Sequence, residues 1–96
     1  MAGRLITFEG PEGSGKSTQI QMASEFLKQK GFKVLLTREA GGSELGREIR
    51  SWLLYRQAIA PWTELLLFMA DRCQHMQDVI LPAMTQDTLV LCDRFM

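Results

Sequence analysis

A glycine-rich segment near the start of the chain limits the possible folds more than any other feature. Residues Gly10 to Ser17 have the sequence GPEGSGKS, a full match to the pattern GxxxxGK[ST]. Gly10, Gly13 and Gly15 let the backbone adopt positive φ angles, so that its N–H groups form a cradle for an anion. The positive end of a following helix adds to that site. The segment predicts a phosphate-binding P-loop; the alternative is an ordinary turn before a helix with an exposed lysine.

Two side chains of this segment have a defined role toward a bound nucleotide. In a P-loop, Lys16 reaches the β- and γ-phosphates, and the Ser17 hydroxyl coordinates Mg²⁺. The pattern requires a strand before the loop and a helix after it, and both are predicted here. We therefore expect a nucleotide and a magnesium ion at this position.

Short apolar segments alternate with amphipathic segments along the chain. Strands are predicted over residues 4–9, 33–37 and 88–92, and helices over residues 15–30, 43–55 and 61–81. Gly31 predicts a helix C-terminus, Ser43 an N-cap and Pro61 a first helical position, whereas Pro82 is expected to disturb or end the third helix. The order β-α-β-α-α-β predicts an α/β fold with a parallel sheet covered by helices on both faces.

Composition excludes several classes of protein. With 46% apolar and 23% charged residues, the chain is not disordered by composition. Eleven basic and eleven acidic residues give a net charge of zero, which argues against a sequence-independent nucleic-acid binder. No apolar run approaches the roughly 18 residues that span a bilayer, and the first residues lack the apolar core of a signal peptide. We expect no nucleic-acid or membrane partner.

Cysteine usage indicates a reducing compartment. The chain has two cysteines, Cys73 and Cys92, and no CxxC pair. This pattern predicts a cytoplasmic protein with free thiols, both of them small buried apolar groups.

A second candidate for the chemistry lies at the end of the third predicted strand. Asp93 directly follows the apolar residues 89–92, LVLC. In P-loop proteins an aspartate at such a strand end helps to hold Mg²⁺. The alternative is an aspartate that begins a turn.

Further charged residues lie near the ends of the predicted strands or in the following helix, namely Arg38, Glu39, Arg50 and Arg94. Ligands of parallel sheets bind at that edge. Arginines gathered there would bind a second phosphate through their paired N–H groups. The alternative is that each arginine occupies an unrelated surface position.

The third predicted helix has an aromatic and a basic residue on one face. Phe68 and Arg72 are four residues apart and therefore adjacent on a helix. A ring and a guanidinium so placed can stack on a base and hydrogen-bond its edge. The alternative is a core phenylalanine beside an exposed arginine. His75 on the same helix is expected to be an ordinary polar surface position.

The segments FEGPEGSGKST, TREAGGSELGREIR, LLLFMADRCQH and LVLCDRF, in this order, resemble the bacterial thymidylate kinase family. The resemblance covers essentially the whole chain. It implies the P-loop NTPase-type fold of nucleoside monophosphate kinases, and transfer of a phosphoryl group from Mg-ATP to dTMP, giving dTDP. It also implies a homodimer through the helices of residues 44–81. Four residues would contribute to that interface or instead pack in the core: Trp52, Trp62, Met69 and Met76.

The resemblance also assigns roles to residues. Glu12 would contact the sugar of dTMP, Arg50 its phosphate, Phe68 the face of thymine and Arg72 its edge. The implied ATP site is Gly10, Gly13, Ser14, Gly15, Lys16, Ser17 and Thr18, with Ser17 and Asp93 on Mg²⁺. The implied acceptor site is Glu12, Arg38, Glu39, Arg50, Phe68, Arg72 and Arg94, and the implied catalytic set is Lys16, Glu12, Asp93 and Arg94.

Three positions depart from the family pattern. Ala40 stands where proline is usual, Phe95 where tyrosine is usual, and Gly13 where some members have arginine. Members without that arginine supply a catalytic arginine from a lid that lies later than residue 96.

We therefore expect residues 1–96 to be the first part of a P-loop kinase core, with later strands and a lid beyond it, and to show negligible turnover alone. The remaining alternatives are another P-loop kinase of small molecules and, for this chain by itself, a non-catalytic nucleotide-binding module.

Overall fold

The strands and helices alternate as the sequence predicts. A computed structural model describes residues 3–11, 15–55 and 58–94. Its elements are β1 (Arg4–Glu9), α1 (Lys16–Gln29), β2 (Lys33–Glu39), α2 (Glu44–Tyr55), α3 (Pro61–His75), a π-helical turn (Met76–Ile80), α4 (Leu81–Met84) and β3 (Thr88–Arg94). Among these described helices, none has the length and apolar character needed to cross a membrane.

The three strands form one parallel sheet with β3 in the middle, in the order β1-β3-β2. The central strand has the most apolar sequence, and Val90, Leu91 and Cys92 are fully buried, as expected for a strand covered on both faces. Parallel crossovers are almost always right-handed, and the two crossovers run in opposite directions across this sheet. That rule assigns α1 and α3 to opposite faces, which agrees with the predicted fold class.

The register brings the candidate residues to one edge of the sheet. Arg38 on β2 is the partner of Asp93 on β3, and Arg94 lies between Glu9 on β1 and Glu39 on β2. The P-loop follows β1, and the loop of residues 40–43 follows β2. Both loops therefore begin beside the end of β3, where ligands of parallel sheets bind.

Two predicted helix boundaries are confirmed by their hydrogen bonds. After α1, Gly31 has a φ of 93°, and the N–H of Phe32 donates to the Leu27 carbonyl at 3.1 Å, as in a glycine-terminated helix. Before α2, the Ser43 hydroxyl accepts a hydrogen bond from the N–H of Gly46 at 2.9 Å, which is the predicted N-cap.

The third helix is disturbed just before Pro82, as predicted, but it continues beyond that residue. Pro61 begins α3 as expected, but the regular helix ends at His75 and continues as a π-helical turn, and Pro82 lies inside α4. A proline cannot donate to the carbonyl four residues earlier, and its ring clashes there in a regular helix. The wider π turn just before Pro82 relieves this conflict and leaves Ile80 fully buried.

The apolar side chains of α2 and α3 lie largely at the surface. Trp52, Trp62 and Met69 are exposed, with Trp62 at 77%, whereas Met76 is half-buried. Among the described residues, the two tryptophans and Met69 are therefore not packed in the core.

The two cysteines have opposite environments. Cys92 in β3 is buried, as predicted, but Cys73 is exposed, so the prediction of burial is wrong for Cys73. Burial raises the pKa of the Cys92 thiol to about 12, because the charged thiolate is poorly solvated there.

Candidate active site

The first residue of α1 joins the P-loop to the end of β3. The Lys16 ammonium donates to the carbonyls of Gly10 (2.8 Å) and Arg94 (3.1 Å). It also forms an ion pair with Asp93, with 2.5 Å between Nζ and Oδ1. Gly15 has a φ of 85°, the conformation expected for a P-loop glycine. The lysine and the aspartate, predicted from separate motifs, therefore lie in one site.

Glu12, Gly13 and Ser14 lie outside the described residues. Ser17 and Thr18, in the first turn of α1, are exposed. Ser17 lines a cleft of about 400 Å³ together with Ile20, Gln21, Leu36, Thr37, Arg38, Gly41, Gly42 and Asp93. A hydroxyl and a carboxylate thus border one cleft, and oxygen ligands of this kind fit Mg²⁺.

Glu39, the last residue of β2, is the centre of a charged cluster. Its Oε1 accepts a hydrogen bond from Nε of Arg72 at 3.0 Å and forms an ion pair with Arg94, whose Nε also lies 3.0 Å away. Its Oε2 lies 2.9 Å from Nδ1 of His75. Burial by itself raises the pKa of this carboxyl, but the bonds from His75 and Arg72 and the charges of both arginines lower it to about 2. The carboxylate therefore stays ionised at neutral pH.

His75 is fully buried, and its prediction as a surface position is wrong. Its Nε2 lies 2.6 Å from the Thr37 hydroxyl, so both ring nitrogens have partners. The sequence held a usable signal, because His75 lies four residues after Asp71 on one face of α3. A polar pair on the buried side of a helix requires partners from another element.

Asp71 is a second buried polar residue that the sequence analysis missed. It is fully buried, and its Oδ1 accepts a hydrogen bond from the N–H of Gly41 at 3.0 Å. Its Oδ2 has no hydrogen-bond partner among the described residues. Burial raises its pKa, the bond from Gly41 opposes this, and the charge of Glu39 adds to the rise. A Cβ on Gly46 would collide with Oδ1, so α2 packs directly on this carboxyl.

Arg38 and Arg50 converge on the loop of residues 40–43. The Arg50 Nη1 donates to the carbonyl of Ala40 at 3.1 Å. A Cβ on Gly41, whose φ is 112°, would lie 2.9 Å from Cδ of Arg50 and 3.5 Å from Nε of Arg38. A glycine is required here, and the side chains of both arginines lie beside it.

Phe68 and Arg72 lie in α3 at the predicted spacing. Phe68 is half-buried, and the Arg72 side chain is 46% exposed. The Nε of Arg72 is bound to Glu39, which uses one of the five N–H donors of its guanidinium.

Comparison with known proteins assigns the chain to a family. The profile of the thymidylate kinase family matches residues 8–96. This chain belongs to the thymidylate kinase family. The thymidylate kinase of Geotalea daltonii is 54% identical over 95 residues, and that of Thermomicrobium roseum is 52% identical over 91 residues. These matches cover 97% and 95% of this chain but 44% and 43% of the relatives, so the chain spans less than half of their length.

A solved structure supports the same assignment. The crystal structure of thymidylate kinase from Ehrlichia chaffeensis superposes with a TM-score of 0.87 at 40% sequence identity. The match covers 99% of this chain and 55% of that chain. The described sheet and helices therefore have the thymidylate kinase fold, a P-loop nucleoside monophosphate kinase fold, of which this chain forms a part.

Proposed function

We propose that the full-length protein containing this chain transfers the γ-phosphoryl group of ATP to dTMP, giving dTDP and ADP. One observation supports this most: Glu39 joins Arg72 and Arg94 through a single oxygen. By resemblance, Arg72 recognises the base and Arg94 acts on the phosphates. A shared carboxylate would set the distance between base recognition and phosphoryl transfer.

The ATP phosphates are proposed to lie in the P-loop. Lys16 and the loop backbone would bind them, and the resemblance adds Gly13, Ser14 and Thr18. Ser17 and Asp93 would hold Mg²⁺, since both border the same cleft. The ion neutralises charge on the phosphates when it is bound.

The dTMP acceptor is proposed to lie between α3 and the loop of residues 40–43. Phe68 would stack on thymine, and the free edge of the Arg72 guanidinium would hydrogen-bond it. Arg50 and Arg38, both beside Gly41, would bind the phosphate. Glu12 would contact the sugar.

The chemistry would need little covalent help from the protein. An acceptor phosphate oxygen attacks the γ-phosphorus in line, a new P–O bond forms, and the bond to the bridging oxygen of ADP breaks. No general base is required, because a phosphate monoester is largely ionised near pH 7. Lys16 and the arginines would position the reactants and stabilise the charge on the transferring group.

A substrate panel on the full-length protein tests the proposal. ADP release is measured with dTMP, dUMP, dGMP, dCMP and AMP, and dTMP should give the highest kcat/KM. Phe68→Ala and Arg72→Ala should each lower kcat/KM for dTMP, whereas Arg47→Ala, an exposed arginine of α2, should not. A wild type that uses dTMP no better than the other nucleotides contradicts the assignment.

We also propose a homodimer formed through residues 44–81, in the reducing cytoplasm. The exposed residues Trp52, Trp62, Leu66 and Met69 support the interface. Trp62→Glu should yield monomers in sedimentation, whereas Met22→Glu, at an exposed position of α1, should leave the dimer intact.

The two free thiols support a reducing cytoplasmic compartment. Zero net charge favours small-molecule substrates over nucleic-acid or membrane partners.

A further inference from the structure

A buried chain of hydrogen bonds runs from the interior of β2 to the arginine proposed to read the base. Thr37 contacts Nε2 of His75, and Nδ1 of His75 contacts Oε2 of Glu39. Resting on the function proposed above, we propose that His75 is a positioning residue for the acceptor. As its Nδ1–H tautomer, it orients the Glu39 carboxylate and, through it, the Arg72 guanidinium.

The partners of the ring select this tautomer. The Glu39 carboxylate is ionised, so its Oε2 can only accept, and Nδ1 must donate. A neutral imidazole then accepts at Nε2, and the Thr37 hydroxyl, which can donate, faces that nitrogen at 2.6 Å. The ionised Glu39 therefore fixes the proton on Nδ1, and the Thr37 hydroxyl can donate to the remaining ring nitrogen.

The orientation of the Glu39 carboxylate affects two arginines, because both contact its Oε1. Arg72 donates to Oε1 and Arg94 forms an ion pair with the same oxygen, while Oε2 is bound to His75. Without a donor on Oε2, the carboxylate could rotate and give one oxygen to each arginine. The Arg72 guanidinium would then move relative to the phosphate site, because it is anchored through its Nε alone among the described contacts.

The position of the ring is also restricted by packing. His75 is fully buried, and a Cβ on Gly42 would collide with its Nε2. The loop that borders the cleft thus closes directly over the imidazole. A ring held in this way cannot tilt to compensate for a lost partner.

Two matched substitutions in the full-length protein separate positioning from packing. An asparagine amide can place an N–H near the position of Nδ1, whereas a glutamine amide reaches the position of Nε2. A hydrogen bond to a charged group contributes about 1.5–3 kcal/mol, so its loss predicts a change on the order of tenfold to hundredfold. We expect His75→Gln and His75→Ala to raise the KM for dTMP by that factor, with the KM for ATP changed less than about twofold. His75→Asn should restore most of the dTMP affinity.

Melting temperatures of the same variants show whether a change in KM accompanies a loss of stability. If His75 only filled space, its substitution would lower the melting temperature but would not raise the KM for dTMP more than the KM for ATP. Equal dTMP KM values for the asparagine and glutamine variants would overturn the proposal. A parallel rise in the KM for ATP would also do so.

The tautomer supplies a readout that does not depend on activity. The imidazole ¹⁵N resonances of His75 are assigned by their loss in His75→Asn. In the neutral imidazole they should show the proton on Nδ1 and none on Nε2, and Thr37→Val should weaken this preference. A ring protonated at Nε2 overturns the inference. If the wild type does not phosphorylate dTMP, the proposed function fails, whereas a neutral ring with its proton on Nε2 in an enzyme that does phosphorylate dTMP overturns only the role of His75.

Discussion

Lys16 and Asp93 form an ion pair that joins the first turn of α1 to the end of β3. The lysine side chain is 8% exposed, whereas that of the aspartate is 32% exposed. The ammonium also binds two backbone carbonyls, one of the P-loop and one of β3. The predicted phosphate-binding lysine is therefore held at the site by the strand that supplies the predicted metal ligand.

Lys16→Met should abolish most phosphoryl transfer in the full-length protein. Removing one group that stabilises the transition-state charge lowers kcat by about 10²–10³-fold. Lys33→Met, an exposed lysine at the start of β2, is the matched control and should retain wild-type kcat. Steady-state assays with saturating ATP and dTMP measure both. A Lys16→Met protein with near-normal kcat would remove the lysine from the mechanism.

Glu39→Gln should lower the free energy of unfolding in a pH-dependent way. The pKa of Glu39 is lowered from 4.5 to about 2 in the folded protein. A lowered pKa stabilises the fold above the unfolded value, and this contribution disappears as the pH falls from about 4.5 to 2. The shift corresponds to about 3 kcal/mol near neutral pH.

Urea unfolding of wild type and Glu39→Gln, at several pH values between 7 and 3, measures this difference. The gap between the two proteins should be largest near pH 7 and should narrow on acidification. A gap that is independent of pH would mean that the carboxylate charge is not what stabilises the cluster.

Asp71→Asn should change the free energy of unfolding with the opposite dependence on pH. Burial raises the pKa of Asp71, so the folded state favours the protonated carboxyl, and wild type is penalised as the pH rises. The stability of the asparagine variant relative to wild type should therefore improve between about pH 4 and pH 7. Asp71→Ala should cost about 1–3 kcal/mol, because it leaves the N–H of Gly41 without its acceptor. Thermal unfolding at the two pH values distinguishes these outcomes.

Gly42→Ala should destabilise the protein and weaken acceptor binding. The added Cβ would collide with the ring of His75 and the backbone of Arg38, and such overpacking costs about 1–3 kcal/mol. Gly31→Ala is the control, since it has a positive φ but open space around a Cβ. It should lower stability by about 1 kcal/mol without changing the KM for dTMP. Equal effects of the two substitutions on that KM would contradict the packing of Gly42 against His75.

Only one of the two cysteines of this region should react with a thiol reagent under native conditions. Cys73 is exposed, whereas Cys92 is buried and has its pKa raised to about 12. The thiolate is the reactive form, so Cys92 should be modified only after unfolding. Peptide mapping after brief labelling identifies the modified site, and Cys73→Ser should abolish the native reaction.

Much of the fold could be predicted from local patterns. The P-loop motif, the apolar strands and signals such as Gly31 and Ser43 each depend on neighbouring residues, and the structure agrees with them. The π turn before Pro82 was not predicted. It accompanies the full burial of Ile80, and no local pattern contains the packing that buries this residue.

In the candidate site, too, some residues could be predicted from local patterns and others could not. Lys16 and Asp93 belong to recognisable motifs, and Phe68 and Arg72 to a recognisable spacing. Asp71 and His75 were missed because their partners come from a loop and a strand at least 30 residues earlier. The spacing of Asp71 and His75 places them on one face of the helix, but it does not identify the segment that covers that face.

The strand order also determines when the sheet can form during synthesis of the protein. β1 and β2 are not neighbours in the described sheet, and each pairs only with β3. A ribosome synthesises both outer strands before the residues that join them. The native sheet, the Lys16–Asp93 pair and the Glu39 cluster can therefore assemble only after Thr88–Arg94 has left the exit tunnel. Until then the nascent chain contains β1 and β2 without the strand that pairs with both.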